Sequence, residues 1–108
     1  MNFEVEVTSG FKKQAKRLAR KYPSVKKELD SLITSLETSP SQGTAIGRGC
    51  YKIRLSIASK GKGKSGGARV ITHVQIVKTK IYLISIYDKS EMETISDNEL
   101  RELLRMIP

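Results

Sequence analysis

Three segments with the pattern of β-strands follow one another in the second half of the chain, and this succession limits the possible folds more than any other feature. Residues 51–57 alternate apolar side chains with Lys, Arg and Ser. Residues 70–76 alternate in a similar way, and residues 81–87 are rich in β-branched and aromatic side chains. Because the links between the segments are of hairpin scale, the sequence predicts an antiparallel sheet.

A short strand and two helices precede these segments. Residues 3–7 alternate apolar with acidic side chains, as a half-buried strand does. Apolar residues at helical spacing predict a first helix that is capped by Ser9 and ends before Pro23. A second apolar stripe, from Val25 to Leu36, predicts a second helix that begins at Ser24. So short a break between two helices favours an antiparallel helical hairpin.

The remaining segments complete an α+β chain with the element order βααβββα. Residues 40–49 are rich in Ser, Gly, Thr and Pro and are predicted to form a loop. Ser96 and Glu99 have the spacing of a capping box at the start of a last helix. We expect residues 1–108 to form a single two-layer domain, in which the N-terminal helical hairpin packs on one face of the antiparallel sheet.

The charge of the chain is strongly positive and unevenly distributed. Twenty Lys and Arg residues against eleven Asp and Glu residues give a net charge of +9. The surplus lies in residues 12–27 and 48–80, which contain no acidic residue. Segregated positive charge of this size favours a polyanionic partner, with nucleic acid first and an acidic protein or anionic membrane second.

Several classes of protein are excluded or disfavoured by the composition. With one cysteine, Cys50, and one histidine, His73, the chain offers no internal disulfide and no zinc module. It contains no apolar run long enough to span a membrane, and its N-terminus lacks the order of a signal peptide. We therefore expect a cytoplasmic protein that needs no cofactor and no metal.

Four basic residues are the main candidates for a functional site. Lys52 and Arg54 share one face of their predicted strand, Arg69 begins the next strand, and Lys89 follows the last one. If these strands are neighbours, the four cations converge and can bind a phosphate. The alternative is that exposed Lys and Arg residues on strands provide only solubility and protect sheet edges.

The link before the second of these strands and the single histidine are further candidates. Lys60, Lys62 and Lys64 alternate with glycines in a segment that leads into a strand, whereas a phosphate-binding P-loop leads into a helix. We interpret the segment as a cationic arm that contacts a nucleic-acid backbone, or else as a plain flexible loop. His73 is an even number of residues from Arg69 on the same predicted strand, so both side chains lie on one face. His73 is therefore either an acid–base residue of the site or an ordinary surface residue.

Three stretches in a fixed order give the sequence a family resemblance. They are CYKIRL at residues 50–55, GARVI at residues 67–71 and YLISIYDKSE at residues 82–91. With these stretches the chain resembles the RelE/HigB group of toxin-antitoxin toxins, within the wider RelE/ParE superfamily, over nearly its whole length. The Lys- and Gly-rich link before residue 67 is similar to that of a HigB-like subgroup.

The resemblance implies a RelE-like fold and a type II toxin that acts as a ribosome-dependent, metal-independent mRNA endoribonuclease, or mRNA interferase, and inhibits translation. The implied partners are a cognate antitoxin, mRNA and the ribosome, with no membrane and no small-molecule cofactor. By motif position, the catalytic residues correspond to Lys52, Arg54, Arg69 and Lys89. The RNA-binding residues that we add to them are Lys60, Lys62, Lys64, His73 and Tyr87.

The chain departs from the family pattern at one position. Many relatives carry a C-terminal tyrosine that stacks on a base, whereas residues 92–96 contain no tyrosine, and Tyr87 is nearby but does not match that motif position. Some relatives use histidine or glutamate as the general base, and among such residues only His73 could fill that role here. Lys52 is a second candidate, because the neighbouring cations Arg54, Arg69 and Lys89 would disfavour its charged form. The general base therefore stays open between His73 and Lys52.

Two other functions are compatible with the sequence. A ParE-like toxin of the same fold would inhibit gyrase by binding it and would cut no RNA, and a basic RNA-binding module would have no activity at all. The presence of all four basic motif residues favours the nuclease. Mapping of mRNA 5′ ends against inhibition of supercoiling would discriminate the three.

Overall fold

The computed structural model describes residues 2–61, 66–92 and 94–108. The α-helices in these ranges are α1 (Ser9–Lys21), α2 (Val25–Thr38) and α3 (Asp97–Leu104). The strands are β1 (Glu4–Val7), β2 (Thr44–Gly47), β3 (Cys50–Leu55), β4 (Ala68–Gln75) and β5 (Lys80–Asp88), and a 3-10 turn (Ala58–Lys60) follows β3.

The strands form one mixed sheet in the order β1-β5-β4-β3-β2. Neighbours from β2 to β5 are antiparallel, whereas β1 is parallel to β5. The α+β class is confirmed, but the sheet is mixed where we had predicted an antiparallel one. The segment predicted as a loop also contributes β2, because Arg48 and Gly49 both have positive φ, 55° and 72°, and turn the chain back on β3.

One face of the sheet is covered by the helical hairpin α1–α2, and we call it the hairpin face. Phe11 and Leu18 of α1 and an apolar stripe of α2 pack there against alternate residues of the strands. The members from α2 and the sheet include Val25, Leu29, Leu32, Leu36, Ile53, Leu55, Val70, Ile81, Leu83 and Ile86. The cap of α1 differs from the prediction: Thr8 is the N-cap residue, and its Oγ1 accepts a hydrogen bond from the Phe11 N–H at 3.2 Å.

The last helix, α3, packs on the opposite face, which we call the α3 face. Leu100 is 2% exposed and lies in a cluster with Ile71, Tyr82 and Ile84. The predicted capping box is confirmed: Ser96 Oγ accepts from the Glu99 N–H at 3.1 Å, and Glu99 Oε1 accepts from the Ser96 N–H at 3.2 Å. The second face is thus partly covered by a helix, where the alternation of β3 alone had suggested an open basic surface.

No helix in the described ranges is both long enough and apolar enough to cross a lipid bilayer.

Candidate functional site

A groove of about 1300 Å³ lies between α2 and the edge of β3, and we call it the basic groove. The structure brings all four predicted cations to this groove. They are Lys52, Arg54, Arg69 and Lys89. The opposite wall is a stripe of α2 with Ser24, Lys27, Glu28, Ser31 and Ser35, and Gln42, Gly43 and Thr44 close one end.

The groove exists because β2 covers only the first half of β3. The pairing of the two strands runs from Gly47 opposite Cys50 to Thr44 opposite Lys52, so the edge of β3 beyond Lys52 is left to the groove. Gly43 lets the chain cross close to β3 at this point. It has a φ of 91°, and a Cβ there would lie 2.3 Å from the carbonyl oxygen of Lys52.

Two arginines lie directly opposite each other in the groove. Arg54 of β3 and Arg69 of β4 are cross-strand partners, with Arg54 exposed and Arg69 only 4% exposed. Arg69 Nη1 donates to the carbonyl oxygen of Ala68 at 3.0 Å, which fixes one side of its guanidinium. Like charges at directly opposed positions destabilise a sheet, and an anion bound between the two guanidinium groups would offset this repulsion.

Lys52 and Lys89 are both half-buried at the groove. Lys52 lies between Thr44 and Ile71 in the sheet. The backbone N–H of Lys89 donates to the carbonyl oxygen of Gly67 at 3.1 Å, which ties the end of β5 to the start of β4. This bond holds Lys89 beside the strand that carries Arg69.

Among the described residues that line the groove, Glu28 is the only acid. Its carboxylate is already engaged: Oε2 accepts from the Ala58 N–H at 2.6 Å, and Oε1 accepts from the Ser24 hydroxyl at 3.1 Å. Lys27 adds a fifth cation that the sequence reasoning missed. The helical spacing of Ser24, Lys27 and Ser31, which share one side of α2, could have indicated it. The groove therefore carries a clear excess of positive charge.

Lys60 lies in a buried ion pair. Its Nζ donates to Asp88 Oδ1, and the two side chains are 7% and 0% exposed. The Lys60 ammonium also lies 5.6 Å from the ring centroid of Tyr22. Burial by itself raises the pKa of Asp88, but hydrogen bonds from Lys60 and Ser90 outweigh it and lower that pKa to about 2. Lys62 and Lys64 lie outside the described residues.

His73 and Tyr87 do not line the groove. The His73 Nδ1 lies 3.6 Å from Cys50 Sγ, and burial lowers the pKa of this imidazole. His73 is four residues from Arg69 along β4, or about 13 Å at the rise of a strand. Tyr87 is opposite Arg69 but buried, and its hydroxyl has no hydrogen-bond partner in the described part of the chain. Burial raises its pKa, an effect that Arg69 opposes.

The described residues contain no group of three His, Cys, Asp or Glu side chains that could hold a metal ion. The polar side chains that line the groove are five cations, several hydroxyls, one amide and one carboxylate among the described residues.

Comparison with known proteins places this architecture in one family. A family model described as the RelE toxin of the RelE/RelB toxin-antitoxin system matches residues 8–107. The structure of a mutant of E. coli toxin RelE in the free state is similar over 100% of both chains, at 20% identity and a TM-score of 0.61. The isolated E. coli RelE toxin is similar over 97% of this chain and 99% of its own, at 19% identity and a TM-score of 0.59. The chain therefore belongs to the RelE family of toxins from toxin-antitoxin systems, and its membership implies an antitoxin as partner.

Proposed function

We propose that this toxin is a ribosome-dependent endoribonuclease that cuts mRNA and thereby inhibits translation. The observation that carries the proposal is the convergence of Lys52, Arg54, Arg69 and Lys89 on one groove, with the two arginines directly opposed. An RNA phosphate is the anion that such a groove fits best, because planar guanidinium groups donate paired hydrogen bonds to phosphate oxygens.

Cleavage of RNA by its own 2′-hydroxyl needs three contributions. The 2′-oxygen forms a bond to phosphorus and loses its proton, the phosphate gains charge, and the bond to the 5′-oxygen breaks as that oxygen takes up a proton. We assign charge stabilisation to Arg54 and Arg69. Lys52 is our candidate to accept the 2′-proton and Lys89 to donate the other, since both lie in the groove whereas His73 does not.

Dependence on the ribosome follows from what the groove lacks. Its single acid, Glu28, is occupied by Ala58 and Ser24, so the described lining offers no free carboxylate to act as a base. Lysines and arginines alone are poorly suited to activate a flexible RNA, and correct positioning of the reacting atoms supplies a large part of a catalytic barrier. We therefore assign that positioning to the ribosome.

The test compares Arg54→Ala with Arg105→Ala on ribosomes that carry a defined mRNA. Both side chains are exposed, so both variants should fold, but Arg105 lies at the end of α3 in a surface ion pair with Glu102. We expect the wild-type protein to cut the bound mRNA and to leave the same RNA intact in free solution. Loss of one preorganised donor costs roughly a hundred- to thousandfold in rate, so Arg54→Ala should be nearly inactive and Arg105→Ala fully active.

Three results would contradict the proposal. Equal cleavage with and without ribosomes would remove the ribosome from the mechanism. Full activity of folded Arg54→Ala would remove the groove from it. Growth arrest with loss of DNA supercoiling and with intact mRNA would instead favour a gyrase-inhibiting toxin.

A further inference from the structure

We propose that the α2 wall of the basic groove binds the RNA next to the phosphate that is cut, and that Lys27 contacts a neighbouring phosphate there. The inference rests on the proposed function, because it takes RNA as the occupant of the groove. It adds a binding surface on a helix to a site that the motif residues place on the sheet alone.

The α2 wall is long enough to contact more than one phosphate group. Ser24, Lys27, Ser31 and Ser35 recur at helical spacing on the side of α2 that faces the groove. From the first to the last of them the wall is about 17 Å long at the rise of an α-helix. It therefore extends well beyond one phosphate group.

The chemistry of the groove favours RNA as its occupant. The large apolar side chains among its described lining residues, Leu32, Ile53 and Leu55, are only 7%, 6% and 8% exposed, so they offer a partner little surface. Glu28 offsets only one of the five positive charges, and both of its carboxylate oxygens are already hydrogen-bonded within the fold. A nucleic-acid backbone, which carries a negative charge at every phosphate, suits such a surface.

The polar residues along the wall differ in whether the fold already uses them. Ser35 Oγ accepts from Gln42 Nε2 at 3.0 Å and donates to the carbonyl oxygen of Leu32 at 2.9 Å, so this hydroxyl serves the fold. Lys27 and Ser31 are exposed at the groove. Because Lys27 lines the same groove as the sheet cations, RNA bound in the groove meets positive charge from the helix as well as from the sheet.

The neighbouring residue provides a matched control. Lys26 is also exposed and belongs to the same turn of α2, but it lines a separate apolar groove with Phe11, Ala15 and Leu29. Lys26→Ala and Lys27→Ala therefore remove the same charge from the same helix on different sides. Neither substitution touches the buried core, so both variants should keep the thermal stability of the wild type.

The experiment measures binding of a short fluorescent single-stranded RNA over a salt series, with wild-type protein and both variants. Each phosphate contact to a single strand contributes about 0.7 to the slope of log K against log salt concentration. We expect the slope to fall by about 0.7 for Lys27→Ala and to stay unchanged for Lys26→Ala. Cleavage on ribosomes should weaken for Lys27→Ala only.

Equal slopes for all three proteins would overturn the inference, as would the same decrease for both variants, which would indicate diffuse attraction without a site. Failure of the wild type to bind the RNA at low salt would overturn it as well. If Lys27→Glu abolished binding of the antitoxin but left RNA binding unchanged, the wall would be a protein interface. Failure of the proposed function is distinct from these outcomes, since a protein that binds RNA through Lys27 and cuts none on ribosomes would contradict only the nuclease.

Discussion

The two faces of the sheet are built from the same strands but differ in what they bury. The hairpin face is a continuous cluster of aliphatic side chains and one phenylalanine beneath two helices. The α3 face has a smaller buried cluster, which includes Cys50, Tyr82 and Tyr87 under one short helix. Arg54 and Arg69 lie at the margin of that second cluster. The difference shows that most of the buried apolar surface lies on one face, whereas the two opposed arginines lie on the other.

Magnitudes explain why this division is tolerated. Full burial of a large aliphatic side chain is worth about 1.5–3 kcal/mol, and the hairpin face buries many of them. Cross-strand side-chain pairs change stability by only about 0.2–1 kcal/mol, and like charges in such a pair are destabilising. One well-packed residue such as Leu36 therefore outweighs the repulsion between Arg54 and Arg69.

The largest expected effect tests the contrast between the two clusters directly. Leu36→Ala removes a buried side chain that α2 contributes to the cluster on the hairpin face. Leu100→Ala removes a buried side chain that α3 contributes to the cluster on the opposite face. Such substitutions cost about 2–5 kcal/mol, and less where the surroundings can collapse. We expect Leu36→Ala near the upper end and Leu100→Ala near the lower end, because α3 is short and Leu103 beside it is only partly buried.

Urea unfolding of both variants and the wild type measures these costs. If Leu100→Ala destabilised the protein as much as Leu36→Ala, the two faces would contribute equally to stability and the contrast would be wrong.

Periodicity made most of the fold predictable from the sequence. The apolar stripes of α1 and α2 and the alternation in β3 specify which side of each element is buried, and the structure confirms these sides. The convergence of the four basic residues was also predictable, because side chains alternate between the two faces of a strand and adjacent strands pair. These residues are Lys52, Arg54, Arg69 and Lys89. These features were predictable because each depends on local spacing or on hairpin links.

The remaining features depend on contacts between distant parts of the chain. β1 pairs with β5 in parallel, and because the two strands are not joined by a hairpin turn, local sequence does not predict this pairing. β2 is four residues long and lacks a strand-like alternation, so only the turn at Arg48 and Gly49 places it on β3. The ion pair of Lys60 with Asp88 joins residues 28 positions apart, and it draws into the protein a lysine that the glycine-rich context had suggested was exposed.

A second, smaller effect concerns the charged pair beside the apolar hairpin face. Asp88 has a pKa of about 2 in the folded protein against 3.8 for the free side chain, so folding favours its ionised form. Its contribution is complete above about pH 4 and is lost as the pH falls through 2, which amounts to about 2 kcal/mol. We expect Asp88→Asn to remove this part of the pH dependence and, by leaving the Lys60 ammonium without its partner, to lower stability at neutral pH.

Asp97→Asn is the matched control: a hydrogen bond from Arg48 lowers the pKa of Asp97 as well, but this carboxylate is exposed, so solvent screens the pair. The free energy of unfolding is measured at several pH values between 5 and 2. In Asp97→Asn its pH dependence should remain nearly that of the wild type. An unchanged dependence in Asp88→Asn would show that the buried pair does not couple protonation to folding.

The smallest expected effect compares the helix caps of the two faces. Thr8 caps α1 and Ser96 caps α3, each through a hydroxyl that accepts a backbone hydrogen bond, and loss of such a cap costs about 1 kcal/mol. Because α1 is part of the main core, Thr8→Ala should lower the global free energy of unfolding by that amount.

Ser96→Ala should act mainly on α3, since an eight-residue helix has little stability of its own and can detach without unfolding the hairpin face. Hydrogen exchange of the Leu100 N–H, which donates to the Ser96 carbonyl oxygen at 3.0 Å, reports that local opening. Faster exchange at Leu100 with nearly unchanged global stability would establish α3 as a separate, weaker unit, whereas an equal global loss in both variants would show that the two faces unfold together.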